Sequence, residues 1–99
     1  MAEQIYKFWI CRFLEPWHQL SKEEQNRFST KIHDALKKVG GTQPIICNTS
    51  WSSEQWSFVG YEVFPNIEAA QNFAAALQEL NWSRYCESRN LLGTKVESS

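Results

Sequence analysis

The run IYKFWICRFL, residues 5–14, is the strongest strand pattern in the chain, and it is apolar on both faces. Strand side chains point alternately to opposite sides. Ile5, Lys7, Trp9, Cys11 and Phe13 fall on one side, and Tyr6, Phe8, Ile10, Arg12 and Leu14 on the other. Alternation alone does not say which side meets a core. Pro16 then ends the strand or opens a turn. From residue 21 the period changes. Ser21 with Glu24 fits a capping box. Phe28, Ile32, Ala35, Leu36 and Val39 follow at helical spacing along one stripe. Lys37 and Lys38 suit the negative end of that helix, and Gly40-Gly41 stops it.

A short apolar centre at Ile45, Ile46 and Cys47 predicts a second strand, with Pro44 at its start. QWSFVGYEVF, residues 55–64, alternates well and predicts a third. Trp56, Phe58, Gly60, Glu62 and Phe64 share one side, and Ser57, Val59, Tyr61 and Val63 the other. The two strands should form a hairpin. Asn66 is the N-cap of a second helix whose buried stripe is Ile67, Ala70, Phe73, Ala74, Leu77 and Leu80, with Asn81 at its end. WSRYCE suggests a short extra turn. ESRNLLGTKV, residues 87–96, predicts a more polar final strand.

The order βαββαβ is the split βαβ pattern of ferredoxin-like folds. The expected class is α+β, with a four-stranded antiparallel sheet and both helices on one face. Strands one and three sit at the centre of such a sheet, and they are the two most apolar strands here. The chain of 99 residues makes one domain, expected to span 1–96 with a loose tail at 97–99.

Composition sharpens one point. Five Trp, six Phe and three Tyr are more than one modest core requires. The surplus points to an interface or a pocket, and a second copy of the chain is the economical cover for the free sheet face. The net charge of −1, with scattered basic residues, argues against nucleic acid. No apolar run is long enough for a membrane span. MAEQIYKFW lacks the features of a signal peptide, so a cytoplasmic location is expected. The three cysteines form no CxxC pair and read as buried, reduced thiols.

The pattern resembles the dimeric α+β-barrel superfamily, short ferredoxin-like chains whose sheets pair face to face or close into a barrel. PWHQLSKEEQNRF is similar to the approach to helix one in small members of that superfamily. SFVGYEVFPNIEAAQNF is similar to their third strand running into helix two, and NWSRYCESRN to their aromatic passage into an Asn-bearing last strand. The chain resembles in pattern small members like the antibiotic-biosynthesis monooxygenases. The superfamily also holds isomerases, cyclases, haem-binding enzymes and stress-response proteins, so the resemblance implies a homodimer but no single chemistry.

Candidate chemistry follows from placement. His18, between the first strand and the first helix, is either a general base or axial ligand at the barrel mouth or an exposed loop histidine. His33 reads as a surface residue. Arg12 and Glu62 are charges within the central strands, which must be paired, exposed at a strand end, or used. Either, pointing inward, would anchor an apolar ligand. Trp9, Trp56, Phe58 and Tyr61, with Asn48, are candidates to line a pocket for a flat molecule, or else a dimer core. No metal site is expected from two distant histidines. No GxSxG, GxGxxG, P-loop or HExxH is present, and no cofactor is expected. Three readings stay open. They are a binding protein for an apolar or planar small molecule, a cofactor-free monooxygenase or isomerase, and an interaction module with a closed interior.

Overall fold

The computed structural model describes residues 3–97. Ser98 and Ser99 of the expected tail lie outside the described residues. The elements are β1 (Ile5–Phe13), α1 (Glu15–His18), α2 (Lys22–Lys38), β2 (Ile45–Asn48), β3 (Phe58–Phe64), α3 (Ile67–Glu79), α4 (Trp82–Tyr85) and β4 (Cys86–Gly93). One antiparallel sheet has the order β2-β3-β1-β4. The two apolar strands are central, as the ferredoxin-like pattern requires.

Local chemistry sets the helix ends. Ser21 Oγ accepts the Glu24 amide at 3.1 Å, and the Glu24 carboxylate accepts the Ser21 amide at 2.9 Å. Both arms of the capping box are therefore made. Ser21→Ala should lower unfolding stability by about 1 kcal/mol, read as a fall in the urea midpoint at constant slope. At the other end Gly40 adopts φ +83°. The Gly41 amide reaches the Leu36 carbonyl and the Gly40 amide that of Lys37, each at 3.0 Å. This is a Schellman closure, which a side chain at Gly40 would strain. Asn66 caps α3 through the Ala69 amide at 2.8 Å.

The core holds Ile5, Leu36, Phe64, Ala69, Ala70 and Phe73, flanked by Ile32, Ala35, Val39 and Leu77. Both long helices thus cover one sheet face, the side bearing Ile5, Lys7, Trp9, Cys11 and Phe13. Tyr6, Phe8 and Ile10 stand on the other, with Val59, Tyr61 and Val63 beside them. Tyr6, Phe8 and Tyr61 stack there with ring centroids 5.4–6.5 Å apart. Phe8 is 48% exposed and Leu91 76%.

Three boundaries differ from the sequence pattern. After β1 the chain makes the helical turn α1, with Pro16 in its first turn, where a missing amide is no loss. β3 begins at Phe58 rather than near residue 55, because the Trp56 amide turns to Ser53 Oγ. Trp56 therefore leaves the alternation, and its ring lies 6.0 Å from the Arg89 guanidinium. β4 runs from Cys86 and stops at Gly93. Gly93 pairs with Tyr6, one residue from the end of β1, so residues 94–96 have no rung to join.

Candidate functional site

Most of the buried side chains are apolar, but two are charged. Lys7 is 8% exposed and Glu62 4%. They lie directly opposite each other across the β1–β3 ladder, on the face turned toward the helices. Between sheet and helices they border a cavity of about 80 Å³ that opens to solvent. Trp9, Cys11, Pro44, Phe73, Leu77, Trp82, Ser88 and Asn90 complete its walls.

Trp9 owes its position to a glycine. Its register partner is Gly60, and a Cβ there would come within 2.7 Å of the indole and also strike the Ile45 carbonyl. Without that carbon the indole lies across β3, and its N–H donates to Glu62 Oε2 at 2.5 Å. The Lys7 ammonium sits 5.0 Å over the Phe73 ring. Among the described residues it makes no salt bridge, and no side-chain polar atom there is both fully buried and unpartnered, so the ammonium keeps contact with the open cavity.

Burial sets the protonation of both groups. It pulls Lys7 below its usual value of 10.5, only partly offset by the Glu62 charge. It raises Glu62 above 4.5, against the Trp9 hydrogen bond and the Lys7 charge. Burial also pushes the Cys11 thiol up to about 11, and raises Cys86 still more with Cys11 beside it. Both thiols therefore stay protonated and unreactive at neutral pH.

The Glu62 shift has a testable sign. With its folded pKa above 4.5, the native state holds a proton that the unfolded chain releases as pH rises past 4.5. Stability from this group is complete below 4.5 and is lost as pH climbs through the folded value. Glu62→Gln keeps an acceptor for Trp9 but cannot ionise. The variant should gain on the wild type as pH rises from 4.5 toward neutrality, measured as the difference in urea midpoints. A constant difference would contradict the shift.

No protein-family model and no curated protein matches the sequence. Solved structures do match the fold. A chlorite dismutase mutant from Candidatus Nitrospira defluvii superposes with TM-score 0.75 at 12% identity, over 98% of this chain and 42% of that one. The chain thus spans less than half of the dismutase. SnoaB from Streptomyces nogalater, a cofactor-independent oxygenase, gives TM-score 0.62 at 12% identity, over 98% of this chain and 97% of that one. A dabb family protein with a ferredoxin-like fold, from Mesorhizobium loti, gives 0.65 at 11% identity, over 97% and 100%. These likenesses show the fold, a ferredoxin-like α+β arrangement.

Within this ferredoxin-like fold the candidate residues fall in different places. Trp9 and Glu62 meet at the cavity. Tyr61 stands on the opposite sheet face, against Phe8 at 5.4 Å. Phe58 packs edge-on to Phe13 at 5.7 Å, at the aromatic end of the sheet formed with Trp17, Phe28 and Tyr85. Trp56 lies by Arg89, and Asn48 is exposed, its carboxamide oxygen accepting from the Ser50 amide and hydroxyl. Arg12 pairs with Glu87, its register partner on β4. His18 and His33 are exposed. Neither borders the cavity, whose volume is far below the roughly 300–1,000 Å³ of cofactor sites. The residues lining this cavity therefore do not fit haem, which needs an axial ligand and much more room. Among the described residues no three His, Cys, Asp or Glu side chains converge on a metal position. Among the described residues no helix is long and apolar enough to cross a membrane.

Lys7, Trp82, Ser88 and Asn90 join the site without having been singled out as ligand contacts. For Lys7 a signal existed. Opposite charges stood one on each central strand, but only the register shows that they face each other.

Proposed function

We propose that this protein binds a small, largely apolar molecule in the cavity beneath the sheet and holds its polar group between Lys7 and Glu62. The observation that carries this reading is a pair of buried charged side chains facing an open cavity walled by Trp9, Phe73, Leu77 and Trp82. Buried charges are expensive unless paired or used, and Lys7 has no ion-pair partner among the described residues. The volume selects the ligand. An engineered cavity of about 150 Å³ takes benzene, so about 80 Å³ suits a molecule, or the tip of one, with only a few heavy atoms. An open cavity also weighs against a closed interaction module.

Adding short-chain alcohols of increasing length to labelled protein should move the Trp9 indole N–H resonance saturably. The effect should fall off once the chain outgrows the cavity. Unmoved Trp9 and Trp82 resonances would overturn the reading.

A second reading, cofactor-free acid–base catalysis, is favoured by one observation. Burial moves Lys7 down and Glu62 up, bringing both toward the range where protons exchange near neutral pH. The likeness to a cofactor-independent oxygenase fits that chemistry.

The stacked Tyr6, Phe8 and Tyr61, with Ile10, Val59 and Leu91, are read as the face that a second copy covers. Sedimentation should show a dimer at micromolar concentration, and Phe8→Arg with Leu91→Arg should yield a monomer. A monomeric wild type would overturn the pairing.

A further inference from the structure

We propose that Lys7 is a carbonyl-reactive amine that captures small aldehydes in the cavity as an imine. The inference rests on the binding reading above and names its ligand class. Most lysines are hydrated ammonium ions whose nitrogen has no lone pair to offer. Lys7 differs in its surroundings. It is 8% exposed, it borders a cavity walled mostly by apolar side chains, and among the described residues no salt bridge holds its charge. Desolvation of this kind is how proteins activate lysine as a nucleophile. The direction of its pKa agrees.

Glu62 completes the chemistry. It is the register partner of Lys7, and its Oε2 is fixed by the Trp9 indole. Its other oxygen is free to exchange a proton. The Lys7 Nζ lone pair forms the C–N bond as the carbonyl π pair moves to oxygen. A proton passes from nitrogen to that oxygen, giving a carbinolamine. The Glu62 carboxyl then protonates the hydroxyl. The C–O bond breaks, water leaves, and the nitrogen lone pair closes the C=N bond. The product is an iminium cation beside the Glu62 carboxylate. No electrons are exchanged with an outside reagent, and hydrolysis reverses the sequence. The cavity of about 80 Å³ restricts the carbonyl compound to a few heavy atoms.

The test is propanal with sodium cyanoborohydride at neutral pH, followed by peptide mapping of the reduced N-propyl lysines. Lys7 should be labelled several-fold faster than the exposed Lys31 and Lys37, although their side chains are the more accessible. Lys7→Arg should abolish the cavity label and leave surface labelling unchanged, and Glu62→Gln should slow labelling at Lys7 alone. The ratio within the wild type stands even where a variant folds poorly. Labelling of Lys7 no faster than of Lys31 overturns the proposal. Propan-1-ol, which has no carbonyl, separates the two readings. If it moves the Trp9 resonance while Lys7 stays unlabelled, the imine falls and binding stands. If neither compound acts on the cavity, both fall.

Discussion

Phe64→Ala should lower the unfolding free energy by about 3–5 kcal/mol. Phe64 is the one large side chain with 0% exposure among the described residues. It stands at the end of β3, packs on Phe73 at 5.6 Å between ring centroids, and shares the cluster with Ala69 and Ala70. Those alanines sit on a helix and cannot reach into the space a lost ring would leave. The loss therefore combines the transfer of the ring with a cavity that does not close. Against a total of about 5–15 kcal/mol, that is a large share. Urea unfolding should show a much lower midpoint with the slope kept. A loss under about 1 kcal/mol would mean that α3 collapses onto β3.

Gly60→Ala should cost about 1–3 kcal/mol and disturb the site as well. The added methyl has two immovable neighbours. One is the Ile45 carbonyl on the adjacent strand, and the other is the indole of Trp9. Relief requires either β2 to part from β3 or Trp9 to leave its seat, and the second breaks the bond to Glu62. Two readouts should therefore move together. The urea midpoint falls, and the Trp9 indole N–H resonance shifts upfield as its carboxylate acceptor is lost. An unshifted indole with full stability would show that Gly60 is not what admits the ring.

How far the sequence alone reaches depends on whether the signal is local. The Ser21–Glu24 box, the Gly40-Gly41 stop and the Asn66 cap all act within a few residues, and all three were legible. So were the central strands, since Ile5 to Phe13 and Phe58 to Phe64 are the two most apolar stretches. The orientation of β1 was not legible. Trp9 and Phe8 are equally suited to a core, and only the register and the helices decide between them. The site was half legible. Glu62 and Trp9 stood out singly, while Lys7 looked like an ordinary solvated lysine until β3 placed a carboxylate opposite it. Tyr61 and Trp9 both suggested a pocket, yet they lie on opposite sides of the sheet. Alternation sorts the faces within each strand, but only the β1–β3 register shows which face of one meets which face of the other.

The position of β1 also governs how the protein is made. It leaves the ribosome well before either of its partners, β3 and β4. Trp9 and Glu62 are 53 positions apart, and Arg12 and Glu87 are 75. At about 5–20 residues per second, β1 waits roughly 4–15 s for its second edge. Until β3 emerges, a strand that is greasy on both sides has no native neighbour, and until β4 emerges one edge stays bare. The yield on synthesis should therefore rise when holding chaperones are added to a cell-free reaction, more than the modest size of the finished domain suggests.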